Sequence, residues 1–154
     1  MKRVLLFSNG TPFHNVGGYN IQLRQLMRVF EGWQVYLCCL SYKPSFCNAK
    51  DEFKAMDYTT WQKNYATTPP DDIDPGVLKK AMYIAGGQHQ HFTIQQINEI
   101  LTRYNISLFM TLCDLVKIYD HPTNAFCATS CCWWPNHYMP IDNHSLRIIS
   151  KMDI

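Results

Sequence analysis

Residues 3–40 read RVLLFSNGTPFHNVGGYNIQLRQLMRVFEGWQVYLCCL and decide the fold of this chain. Residues 3–8 are an apolar run of strand length that ends in a loop-like Asn-Gly-Thr-Pro segment. Residues 35–40 are a second apolar run of the same kind. Apart from Arg3 and Ser8 at the ends of the first, both runs consist of apolar residues, which is typical of strands covered on both faces of a sheet.

An amphipathic helix is predicted between the two strands. After Gly17 and Gly18 the apolar residues recur at helical spacing, at Leu23, Leu26, Met27 and Phe30. The opposite face is predicted to be polar and carries Gln22, Arg24, Gln25, Arg28 and Glu31. Gly32 is expected to close the helix. Strand, loop, helix and strand within about 40 residues predict a βαβ unit with two parallel strands.

Composition narrows the class of protein. The chain has 154 residues, 47% of them apolar and 17% charged, which is the profile of one folded domain. Its 14 Lys and Arg against 12 Asp and Glu show no basic stripe along the sequence, so no nucleic-acid partner is expected. The seven cysteines are an odd number with two vicinal pairs, which indicates buried, reduced thiols. With no apolar run of bilayer length, a cytoplasmic location is predicted.

The middle of the chain, residues 42–92, is less regular and is interpreted as an insert. Residues 50–65 are expected to hold one short strand or helix. Asp74 and Pro75 are the pattern of a helix N-cap followed by Pro at the first helical position. That helix is predicted to continue through Met82 to Gly86-Gly87.

The last third of the chain again shows clear periodicity. Residues 93–96 fit a capping box for a helix that ends at Asn105, with an apolar stripe at Ile94, Ile97, Ile100, Leu101 and Tyr104. Residues 106–112 and 126–132 are predicted as further buried strands, and Asp142 as the cap of a final helix. The fold class predicted is α/β, a doubly wound, mainly parallel sheet with helices on both faces in one domain, 1–154. Because the chain stops where another strand is expected, it is interpreted as truncated.

Ligands of open parallel sheets bind at the carboxyl ends of the strands. Four places qualify: the 9–20 loop and residues 40–42, 113–114 and 132–134. Gly17 and Gly18 precede a helix whose N–H groups and dipole favour an anion such as phosphate. The alternative is a turn that binds nothing. The glycine spacing matches neither the dinucleotide fingerprint nor a Walker A loop, so NAD and ATP are disfavoured and no cofactor is predicted.

The opening strand, the Pro-containing loop, Gly17-Gly18 and the leucine-spaced helix resemble the start of retaining GT-B glycosyltransferases of the family 4 group. The later helix, strand 106–112 with Asp114 after it, and the segment ending in KMDI are similar as well. The resemblance covers about two-thirds of the chain, outside 42–92. It implies a Rossmann-like amino-terminal, acceptor-binding domain, with a second nucleotide-sugar-binding domain in the same or a separate chain.

The resemblance also implies roles for individual residues. Gly17, Gly18, Tyr19 and Asn20 would contact the donor diphosphate and the acceptor, and Asp114 would take the catalytic position near the acceptor. Many members carry a His after the strand that corresponds to 126–132. This chain has Cys132, Trp133 and Trp134 there, with His137 slightly later, and these four are interpreted as substrate-binding.

Each of these interpretations has a structural alternative, and that for Asp114 is the cap of a short helix predicted over 115–119. Trp133 and Trp134 offer flat faces for sugar stacking, or one is core and the other covers the sheet edge. His121, next to Asp120, is interpreted as a turn residue rather than a general base. No C-x-x-C pair exists and vicinal cysteines suit a tetrahedral ion poorly, so no metal is predicted.

The function predicted is therefore transfer of a sugar from a nucleotide-sugar donor to a carbohydrate or other hydroxyl acceptor. The partners are the donor, the acceptor and a second GT-B domain, and the isolated chain is expected to be inactive and to self-associate. Two alternatives remain: a non-catalytic α/β module that binds a nucleotide or small ligand, and an interaction subunit of a two-chain enzyme.

Overall fold

A computed structural model of the chain describes residues 1–8, 18–39, 54–65, 74–84, 94–112 and 126–130. Within these residues lie six strands, namely β1 (Arg3–Ser8), β2 (Gln34–Cys39), β3 (Ala55–Met56), β4 (Met82–Ile84), β5 (Leu108–Leu112) and β6 (Phe126–Ser130). The helices there are α1 (Gly18–Val29), α2 (Tyr58–Tyr65), α3 (Pro75–Lys80) and α4 (Ile94–Arg103). The protein is an α/β fold.

The strands form one mixed sheet in the order β3-β4-β2-β1-β5-β6. All neighbouring pairs are parallel except β3 with β4, which is antiparallel. β1 and β2 pair in parallel from Arg3↔Gln34 to Ser8↔Cys39. The predicted βαβ unit is therefore confirmed, with α1 as its crossover.

Each face of the sheet has its own apolar cluster, because side chains alternate along a strand. On one face Val4 and Leu6 of β1 belong to a cluster with buried residues of α1, α2 and α3, among them Leu23, Met27, Trp61 and Leu78. On the other face Leu5 and Phe7 belong to a cluster with the buried α4 residues Ile97, Ile100 and Leu101. The near-continuous apolar composition of residues 3–8 is explained by this double cover.

Helix α1 follows the predicted periodicity with one exception. Leu23 and Met27 are buried and Leu26 and Phe30 are partly buried, as the stripe indicates. The prediction that Arg24 lies on a polar, outward face is wrong, because its side chain is only 7% exposed. Arg24 lies about 60° around the helix from Met27, so its methylene stem can cover the apolar border.

Helix α3 begins as the Asp-Pro pattern predicts. The Asp74 carboxylate accepts a hydrogen bond from the Gly76 N–H at 2.8 Å, and Pro75 occupies the first turn. The N-cap prediction is confirmed.

The predicted continuation of α3 through Met82 is wrong. The helix ends at Lys80, Ala81 is extended, and residues 82–84 form β4 in parallel with β2. Tyr83 accounts for the difference: it is 1% exposed, and its hydroxyl donates to the Leu78 carbonyl at 2.8 Å, an oxygen near the helix end that needs a partner. Burial of this ring in the sheet outweighs the helical spacing.

Residues 54–65 hold both a strand and a helix, where the sequence predicted one or the other. Asp57 caps α2 by accepting from the Thr60 N–H at 2.7 Å, and Tyr58 and Trp61 bury their rings beside Tyr83. The described parts of the region interpreted as an insert thus supply an edge of the sheet, β4 and β3.

Helix α4 ends at Arg103 and is closed by Asn105, the residue predicted to end it, whose φ of 50° is left-handed. The Ile106 N–H donates to the Leu101 carbonyl at 2.9 Å and the Asn105 N–H to the Thr102 carbonyl at 3.2 Å. These two bonds are the Schellman motif. Because Ile106 completes that motif, β5 begins at Leu108, two residues later than predicted.

Two further predictions, a strand over 126–132 and buried, reduced cysteines, concern residues that are described in part. The strand predicted over 126–132 is described over Phe126–Ser130, and Cys38 is a buried free thiol. The capping residue Thr93, the short helix after Asp114, the helix at Asp142 and the chain end lie outside the described residues. In the described parts of the chain no helix is long and apolar enough to cross a bilayer.

Candidate functional site

Four strand ends stand in one row at the carboxyl edge of the sheet. Ser8 is the register partner of both Cys39 and Leu112, and Leu112 is the partner of Ser130. Neighbouring strands lie about 4.8 Å apart, so the row spans about 14 Å. This strand-end row, Cys39–Ser8–Leu112–Ser130, is the base of the candidate site.

The direction in which successive strands are added to the sheet reverses between β1 and β5. Strands β2, β4 and β3 lie in that order outward from β1 on one side, whereas β5 and β6 lie on the other side of β1. In doubly wound sheets such a switch in strand order is the place where a ligand crevice forms, which here is between β1 and β5. Ser8 and Leu112 flank that crevice.

The amino terminus of α1 belongs to the same edge. β1 ends at the row and β2 begins at the opposite edge, so α1 must run back across the sheet from Gly18 to Val29. Leu23 and Met27 fix it against β1. Its first turn holds no acidic residue, and the N–H groups at the start of a helix favour an anion. The elements thus combine a crevice with an electropositive helix end.

The predicted site residues divide into two groups. Gly18, Tyr19 and Asn20 are described and form the first turn of α1, so they are helical rather than part of a loop. The others lie outside the described residues, namely Gly17, Asp114, Cys132, Trp133, Trp134 and His137.

All four predicted places are connected to the strand-end row. Residue 9 follows Ser8, residue 40 follows Cys39, residue 113 follows Leu112 and residue 131 follows Ser130. The sequence indicates these four places separately. The strand register shows that the strand ends that precede them lie in one row.

Sequence reasoning missed one strand end beside this row. Ile84, the last residue of β4, pairs with Cys38, one residue short of Cys39. Gly86 and Gly87 follow it, a second Gly-Gly pair after an apolar run. The pair resembles Gly17-Gly18 after β1 and could have indicated a strand end. The helical spacing of the residues before it favoured a helix end instead.

Metal ligation finds no support in the described ranges, where no group of three His, Cys, Asp or Glu side chains comes together. All six histidines, His121 among them, lie outside those ranges.

Comparison with known proteins adds no relative. No protein-family model, no curated protein and no solved structure matches this chain.

Proposed function

We propose that this chain is the amino-terminal, acceptor-binding domain of a GT-B glycosyltransferase, with a doubly wound, Rossmann-like sheet. The intact enzyme would transfer a sugar from a nucleotide-sugar to a hydroxyl acceptor. The observation that carries the proposal is the strand order: the five parallel strands follow one another as β4-β2-β1-β5-β6, with the first strand in the middle. This order has the switch at which doubly wound sheets bind nucleotides.

The α1 end supports a role for Gly17 and Gly18 beside the donor diphosphate. In sugar transfer the diphosphate is the leaving group, and fixed N–H dipoles stabilise the negative charge that develops on it. A second domain would close over the crevice and bind the rest of the nucleotide-sugar. Asp114 is proposed to accept a hydrogen bond from the acceptor hydroxyl, and Trp133 to stack on a sugar face.

The alternative function is a non-catalytic module that binds a nucleotide or another small anion at the same crevice. The strand order and the α1 terminus favour it equally, because neither requires sugar chemistry. The two functions differ in what the site must recognise: a glycosyltransferase domain needs affinity for the sugar or its acceptor, whereas a nucleotide module needs only the base and phosphates.

Titration of the full chain with a matched panel tests the proposal. The panel is UDP-glucose, GDP-mannose, UDP, GDP, AMP and inorganic phosphate, followed by each sugar nucleotide with a set of mono- and disaccharide acceptors. Binding is measured by saturation-transfer NMR.

We expect weak binding in which the sugar protons of one nucleotide-sugar or one saccharide receive saturation. If only nucleotide protons receive saturation, and AMP or phosphate binds as tightly as the sugar nucleotides, the result would support the non-catalytic nucleotide-binding module instead. Absence of binding by every member of the panel would overturn both.

A further inference from the structure

We draw no further inference here: the strongest candidate, the apolar groove that Met27, Val35 and Val77 line between α1, β2 and α3, carries none because nothing in the structure shows what covers it.

Discussion

Asn105 shows how a single residue sets the connection between α4 and the sheet. Its φ of 50° lies in the left-handed region that glycine and asparagine tolerate best. We expect Asn105→Gly to leave the free energy of unfolding nearly unchanged and Asn105→Ala to lower it by about 1 kcal/mol. Chemical denaturation of the two variants checks this. An Asn105→Ala protein as stable as the parent would argue against the Schellman end of α4.

Gly18 tests the candidate site at the first position of α1. Gly18→Val places a branched side chain at the first position of α1, where a bound diphosphate would approach the backbone. We expect binding of nucleotide-sugars to fall at least tenfold, about 1.4 kcal/mol, with little change in melting temperature.

Gly32→Val is the matched control for Gly18→Val. α1 ends at Val29, before Gly32, where it was expected to close; Gly32 lies in the turn that leads to β2 at the opposite edge, and an added Cβ there meets no atom within 4 Å. Its binding should equal that of the parent. Equal affinity in Gly18→Val and Gly32→Val would remove the α1 terminus from the site.

At the scale of elements, α2 depends on a carboxylate cap. The Thr60 N–H bond to Asp57 lowers the pKa of this carboxyl below its usual value. The stabilisation is therefore present above the unfolded-state pKa, about 3.9, and is lost as the pH falls through the lower, folded-state pKa.

Asn also caps helices but does not titrate, so Asp57→Asn should remove this part of the acid dependence. We expect protection of the Trp61 amide from exchange to decline more steeply below about pH 4 in the parent than in Asp57→Asn. Parallel pH profiles in the two proteins would show that the cap contributes nothing.

Strand β4 depends on Tyr83, whose ring stacks on Trp61 with centroids 5.4 Å apart and whose hydroxyl binds the Leu78 carbonyl. Tyr83→Phe should cost about 1 kcal/mol, the contribution of one hydrogen bond, whereas Tyr83→Ala should cost about 3–5 kcal/mol. Urea denaturation measures both. A Tyr83→Ala cost below that of Tyr83→Phe would contradict the buried position of this strand.

At the scale of the whole molecule, local periodicity predicted the elements whose partners are close in sequence. Strand β1, helix α1 and strand β2 satisfy their apolar faces within one βαβ unit, so the pattern of residues 3–40 was sufficient. Residues 82–84 were misread because three residues cannot distinguish a helix from a strand. Their conformation is decided by β2, more than 40 positions earlier.

The candidate site was predictable in part for the same reason. Parallel strands always place their carboxyl ends at one edge, so the sequence could indicate segments 9–20 and 113–114 as ligand-binding. Their alignment depends on the order in which the strands pair, with β1 between β2 and β5, and no local pattern contains that order.

The central claim is that the strand-end row and the first turn of α1 form one ligand crevice. Amide chemical-shift mapping of the full chain during titration with a nucleotide-sugar tests it most directly. The account predicts concerted shifts at Ser8, Gly18, Cys39, Leu112 and Ser130, with none at the amino-edge residues Arg3, Gln34 and Leu108. Shifts confined to the amino edge, or a saturating titration that leaves Ser8 and Leu112 unmoved, would contradict it.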